Sequence, residues 1–221
     1  MNKKLLELFS GTGSVAKVFQ RDYEVISLDF KKHFKPTICM DILEWDYTVY
    51  PEGYFDVIWA SPDCTSWSKA SGGKHRLKDD MTPKTETARI GELLILKTIE
   101  IINYFKPRVW FIENPQGLLQ YYPPMENMGY KHLVYYGNYN NPDGSQYCMM
   151  KPTNIWSNIE LWKSTETKPI MGEDTYEMRV HSWDGKERRF YKQYQKGSKE
   201  RSVIPHTLVE KIYNHILEMC N

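Results

Sequence analysis

No stretch of this sequence is apolar for long enough to cross a bilayer, and it contains neither an internal repeat nor a low-complexity tract. Cysteine is scarce. Cys39, Cys64, Cys148 and Cys220 are widely separated and show no paired metal-ligand spacing, so neither a zinc knuckle nor a disulfide framework is indicated, no metal is expected, and a reducing compartment with free thiols fits best. A strong overall charge is also missing. The formal net charge of +1 conceals one uneven region, because residues 179–201 hold eight Lys/Arg against three Asp/Glu. Such a stretch can face phosphates, although a charge run alone is more often a solvated loop. The opening MNKKLLELFSGTG is basic and apolar only briefly before Glu7 interrupts it, so secretion is not expected and the segment reads as a first strand.

A length of 221 residues, 41% of them apolar and 26% charged, suits one α/β domain with a modest extension. Short β-type runs recur at Lys4–Phe9, Glu24–Asp29, Phe55–Ala60, Arg108–Glu113 and Lys131–Tyr136, with helix-like segments between them. This alternation predicts a Rossmann-like, doubly wound, mostly parallel sheet. The longest helix is expected from about Thr85 to Phe105, with Ile90, Leu94, Ile101 and Phe105 near one face and Lys106-Pro107 as its stop. Other helices are expected after Gly13, through Val15, Val18 and Phe19, and at the end, where Pro205 precedes HTLVEKIYNHILEM. The polar, aromatic and charged stretch from about Lys163 to Ser202 shows no period and reads as a loop region or small subdomain. The expected organisation is therefore a core over 1–162, a small region over 163–201 and a returning helix over 202–221.

An apolar strand runs directly into Ser10-Gly11-Thr12-Gly13 and then a helix. Glycines there let the backbone turn sharply and approach a ligand, while amides at the helix start favour electron-rich groups. Asp29 ends the next strand, where a carboxylate can accept from both ribose hydroxyls of an adenosine-containing ligand. Gly11, Gly13 and Ala16 also satisfy the dinucleotide pattern, so nicotinamide or flavin binding stays open here, as do turn glycines with no ligand. Asp41, with Ile42 beside it, follows a third short strand as a candidate for an adenine amino group or as an ordinary helix cap.

FDVIWASPDCTSWS ends a buried-type strand in Ser61-Pro62-Asp63-Cys64 and so delivers a thiol to the carboxyl edge of the sheet, where ligands bind in open α/β folds. A lone cysteine is more often a small core residue, but a polar, proline-led loop beyond a strand is a place for a nucleophile. RVWFIENPQG points Glu113 toward the same edge, either as an acid or as a helix cap or ion-pair partner.

ELFSGTGS, SLDF, MDI, SPDCTSWS, FIENP and RSVIPHTLVEKI occur in this order along nearly the whole chain. Together they resemble the DNA cytosine-5 methyltransferase family, in a compact form similar to small phage- or virus-encoded members. The resemblance implies S-adenosyl-L-methionine as cofactor and a nucleic-acid substrate, DNA first. It implies that Cys64 attacks carbon 6 of a flipped cytosine while Glu113, holding a proton, donates to ring nitrogen 3. It assigns the cofactor to Phe9, Ser10, Gly11, Thr12, Gly13, Ser14, Asp29, Phe30, Asp41, Ile42 and Pro62. It assigns the substrate to Ser66, Ser68, Asn114, Pro115, Lys151, Thr153 and Arg201. Thr65 to Pro83, with Gly72, Gly73, Lys74 and Arg76, would be a mobile, phosphate-contacting flap that closes over the flipped nucleotide. A monomer or weak dimer in the cytoplasm of a bacterial or phage-infected cell is the expected setting, with no membrane partner.

Three features depart from the family pattern. Asp63 stands where proline usually precedes the nucleophile, and a neighbouring carboxylate disfavours a thiolate unless Lys69, Lys74 or Arg76 offsets it. YCMMKPTNIWSN offers Lys151 where the family carries arginine. Only the aromatic and basic stretch around Trp183 to Arg201 is left to read target sequence. Other readings remain open: an amino methyltransferase acting on cytosine N4 or adenine N6, an RNA methyltransferase, a cytosine-modifying enzyme transferring another group, or a lapsed nucleic-acid-binding relative.

Overall fold

The computed structural model describes residues 3–68, 74–77, 79–147, 149–162, 166–169 and 202–219, together with the backbone of 176–181 and 187–192. Strands β1 (Lys3–Leu8), β2 (Tyr23–Asp29), β3 (Ile38–Cys39), β4 (Val57–Ala60), β5 (Val109–Pro115), β6 (Tyr130–Tyr135) and β7 (Pro152–Ser157) form one sheet in the order β3-β2-β1-β4-β5-β7-β6. The pairings from β3 to β5 are parallel, whereas β7 runs antiparallel to both of its neighbours. This is the expected Rossmann-like sheet with one reversed strand inserted near its edge. A separate antiparallel pair, β8 (Tyr176–His181) and β9 (Glu187–Lys192), occupies the stretch that showed no sequence period.

Side-chain alternation divides the core between the two faces of the sheet. Leu5, Val57, Trp59, Val109, Phe111 and Ile155 pack on one face against Val18 and Phe19 of α1 (Ala16–Phe19). Leu208, Val209, Ile212 and Ile216 of the final helix complete that layer. This helix becomes α4 (His206–Glu218), after the single turn α3 (Pro123–Glu126). Leu6, Leu8, Ile58, Ala60, Trp110, Ile112 and Trp156 line the other face, under Ile95, Ile101, Ile102 and Phe105 of α2 (Glu86–Phe105). Burying whole aromatic and aliphatic side chains on both faces is what holds the middle of the sheet between its helices.

The boundaries of α2 follow local chemistry. The Thr85 side chain accepts a hydrogen bond from the Ala88 amide, and Lys106 takes a left-handed conformation before Pro107. Its buried stripe differs from the expected one: Ile90 is exposed, while Ala88, Gly91, Ile95 and Thr98 face inward. Small residues are needed because the turn after β4 lies directly beneath, and a Cβ on Gly91 would stand 2.5 Å from Ser66 Oγ.

A second close approach joins that turn to the end of β5. The Leu118 amide donates to the Trp67 carbonyl at 2.6 Å, and a Cβ on Gly117 would lie 2.2 Å from the same oxygen. Gly117→Ala should therefore push the turn away from β5 and lower stability by about 1–3 kcal/mol. Urea unfolding of both proteins measures this, and an unchanged midpoint would contradict the contact.

Candidate active site

All four inner parallel strands open their loops at one edge. Ser10–Gly13 follows β1, Asp29 ends β2, Ser61–Cys64 follows β4, and Glu113-Asn114-Pro115 ends β5. The loop after β1 turns through left-handed conformations at Phe9, Gly11 and Gly13, with φ of 56°, 47° and 66°. Glycine removes the Cβ penalty at two of these positions. Glu7 anchors the loop from below: its fully buried carboxyl group accepts the Val15 and Ala16 amides at 3.3 and 3.1 Å. Burial outweighs those two bonds and pushes its pKa up to about 7.

Asp29 is buried, with the Gly11 amide on Oδ2 at 2.9 Å and the Lys31 amide on Oδ1 at 2.8 Å. Each carboxylate oxygen keeps a second lone pair for another donor. Beside it the Phe30 ring is 65% exposed, an unusual state for a large apolar side chain. Asp41 is exposed and caps the Leu43 amide at 2.9 Å, while Ile42 beside it and Pro62 in the loop after β4 are buried. An acceptor carboxylate, an open aromatic face and a glycine loop are donor and contact types that fit an adenosine-bearing cofactor. Ser14 is committed elsewhere, since its hydroxyl accepts the Ile204 amide at 3.2 Å and ties the C-terminal segment to this loop.

Cys64 and Glu113 meet at this edge. The thiol is partly buried, and its pKa is raised first by burial, then by the charges of Glu113 and Asp63, while Lys151 pulls it the other way. The environment thus disfavours the thiolate. Of the three cations suggested as offsets, Arg76 is committed elsewhere, Lys69 lies outside the described residues, and Lys74 is not among the charges that act most on the thiol; Lys151, which was not suggested, is the cation that does. Asp63 itself is exposed and caps the following turn, accepting Thr65 N and Thr65 Oγ1 at 3.0 Å each. Glu113 is buried, and its Oε1 accepts the Tyr136 hydroxyl at 2.7 Å. Asn114 points to the opposite face, where its Nδ2 donates to the Pro62 carbonyl at 3.0 Å and fastens the Cys64 loop to β5. Pro115 pairs with Thr153 in the β5–β7 register, and Thr153 is buried with its hydroxyl on the Lys151 carbonyl.

Two expectations for the flap are corrected. Ser66 is fully buried beneath α2 and so is turned away from any substrate. Arg76 is 1% exposed: its guanidinium lies 3.3 Å from the Trp67 ring centroid and donates to the Met81 and Ala88 carbonyls at 3.0 and 2.6 Å. It pins the root of the segment to α2 rather than reaching for phosphate. Ser68 sits at the end of the turn, its amide on the Cys64 carbonyl. Arg201, Gly72, Gly73 and much of Trp183–Arg201 lie outside the described residues. Tyr136 and Glu7 were missed by sequence reasoning. Tyr136 ends an expected strand run as the second half of Tyr-Tyr-Gly, the only signal that could have raised it. Among the described residues no group of His, Cys, Asp and Glu could hold a metal, and no helix is long and apolar enough to cross a membrane.

The sheet order and the convergence of loops on its carboxyl edge are those of a Rossmann-like methyltransferase. The pattern of the C-5 cytosine-specific DNA methylase family matches residues 4–126. A protein of Frog virus 3 (isolate Goorha), named "Probable DNA (cytosine-5)-methyltransferase", is 33% identical over 171 residues, covering 71% of each chain. Among solved structures, a protein described as a DNA modification methyltransferase encoded within a prophage (E. coli) superposes with a TM-score of 0.50 at 14% identity, over 96% of this chain and 69% of its own. The methyltransferase EhMeth of Entamoeba histolytica gives a TM-score of 0.48 at 15% identity, and the chain covers 58% of its length with 78% of its own. The chain belongs to the C-5 cytosine-specific DNA methylase family. Its activity is DNA cytosine-5 methylation, a reaction class that draws generally on S-adenosylmethionine.

The buried Glu7 generates a pH prediction. Its folded-state pKa of about 7 exceeds the ordinary 4.5, so the fold favours the protonated form. Its contribution is full below about pH 4.5 and is lost as pH rises toward 7. Relative to Glu7→Gln, the native protein should lose roughly 2–3 kcal/mol of stability between pH 5 and 8. Parallel pH slopes in denaturant unfolding would contradict this.

Proposed function

We propose that the chain methylates carbon 5 of a cytosine flipped out of DNA, by way of a covalent adduct on Cys64. The observation that carries this reading is the meeting of Cys64 and Glu113 at one sheet edge, close enough for the carboxyl charge to act on the thiol. Cytosine carbon 5 is too poor a nucleophile to react unaided, so electrons must first be pushed into the ring. Cys64, after losing its proton to solvent, forms a bond from sulfur to carbon 6 while Glu113, having taken up a proton from solvent as the base binds, gives it to ring nitrogen 3. Carbon 5 thereby becomes enamine-like and nucleophilic. After substitution at carbon 5, loss of the proton there restores the ring double bond, expels the Cys64 thiolate and returns the nitrogen 3 proton to Glu113.

When bound, S-adenosylmethionine supplies an electrophilic methyl group to this edge. Asp29 would take its ribose hydroxyls, Phe30 and Ile42 its adenine ring, Asp41 the adenine amino group, and Phe9 to Gly13 with Pro62 the remainder. Asn114 keeps the nucleophile loop in register with Glu113, and Lys151 supplies positive charge beside the thiol. The basic, aromatic region that contains β8 and β9 would carry DNA contacts. Arg201 is assigned to the same substrate, with binding that weakens as salt rises.

Incubation with S-adenosylmethionine and DNA containing 5-fluorocytosine should give an adduct that survives denaturation and vanishes in Cys64→Ser. Glu113→Gln should form it roughly a hundredfold more slowly or worse. Methylation by Cys64→Ser would eliminate the mechanism. Asp63→Asn keeps an acceptor for Thr65 and removes a negative charge beside the sulfur. Its thiolate should form at lower pH, so iodoacetamide should alkylate Cys64 several-fold faster at pH 7.5. An equal or slower rate would show that Asp63 does not tune the thiol.

A further inference from the structure

Tyr136 opens the single turn Tyr136–Asn138 after β6 and is fully buried. A phenol hydroxyl in such a place is costly unless it is paired. It finds one partner in Glu113, whose Oε1 accepts it at 2.7 Å. The ring that carries this hydroxyl is held on several sides. Tyr147 meets it edge-on at 5.4 Å and 89°, Lys151 Nζ stands 4.5 Å from its centroid, and its amide donates to the Lys151 carbonyl at 3.3 Å. Burial and the Glu113 charge hold its ionisation well above the ordinary phenol range. The hydroxyl therefore keeps its proton at neutral pH, and an ionised Glu113 can only accept it.

That donor has a consequence for the acid. The terminal torsion of a glutamate is broad, so a free carboxyl group samples many orientations. With Tyr136 donating to Oε1, that oxygen becomes the less basic of the two, so the acid form carries its proton on Oε2. We propose that Tyr136, gripped by Tyr147 and Lys151, is a positioning residue that orients Glu113 and assigns its transferable proton to Oε2. This deepens the covalent-adduct reading and rests on it. Tyr136 touches no reacting atom. It acts only through Glu113.

The test compares two target bases in one protein sample. In 5-azacytosine a ring nitrogen replaces carbon 5 and makes carbon 6 electron-poor without help from an acid, so attack depends less on Glu113 than it does for 5-fluorocytosine. Single-turnover adduct formation is measured for native protein and Tyr136→Phe on DNA carrying either base, with S-adenosylmethionine present. Tyr136→Phe should be slower on 5-fluorocytosine by roughly tenfold or more, and by less than about threefold on 5-azacytosine, with DNA affinity unchanged. The phenylalanine ring keeps the contacts of Tyr147 and Lys151. Partial unfolding would remove active molecules from both reactions alike, so it does not mimic a change in the ratio. Equal losses on the two bases, or no loss on 5-fluorocytosine, would overturn the proposal. A native protein that forms no adduct on either base would instead remove the mechanism itself, and this inference with it.

Discussion

The parallel pairing of β4 with β5 is the constraint from which the site follows. With Ala60 beside Ile112 in register, both chains leave the sheet at the same edge and at nearly the same level. Four residues beyond Ala60 the loop presents Cys64, and one residue beyond Ile112 the strand presents Glu113. The register would mean little if the loop were free to swing. Asn114 ties it to β5 through the Pro62 carbonyl, and the Trp67 carbonyl receives Leu118. The apolar layers on both faces of the sheet hold this register, so the positions of a thiol and an acid depend on burial of Trp59, Phe111, Ile58 and Ile112.

The electrostatics around Cys64 run against ionisation of its thiol. Burial and two carboxylates all oppose the Cys64 thiolate, and Lys151 is what opposes them. Where the family carries proline before the cysteine, Asp63 supplies a negative charge while also capping the turn that follows. Lys151, expected in the place of a family arginine, lies over Tyr136 and acts on the thiol. Lysine cannot match the planar, two-pronged recognition of a guanidinium, but a compact ammonium can act as a local counter-charge. The two departures therefore act on the same thiol with opposite sign. The capping contact also gives Asp63 a structural use that offsets its electrostatic cost.

Much of the fold was legible because strand and helix periods are local. The runs at Lys4–Phe9, Glu24–Asp29, Phe55–Ala60, Arg108–Glu113 and Lys131–Tyr136 each became a strand, within a few residues at either end. β7 was not read, because its proline, threonine and asparagine resemble a loop. Its strand character comes from pairing with β5 on one side and β6 on the other. The inward stripe of α2 was misread at Ile90 for a related reason: what lies beneath the helix is a tight polar turn, which selects Ala88, Gly91 and Thr98 over larger residues. Arg76 and Ser66 looked like phosphate contacts because composition reports charge and polarity but not stacking on Trp67. The Tyr136–Glu113 bond spans 23 residues of sequence and has no local signature.

The central claim is that the sulfur of Cys64 becomes bonded to the target base. Proteolysis of the denatured adduct with 5-fluorocytosine DNA, followed by mass spectrometry, tests it most directly. The account predicts the nucleotide mass on the peptide that contains Cys64 and on no other. The same mass on the peptide of Cys39, or methylated DNA with every peptide unmodified, would contradict it.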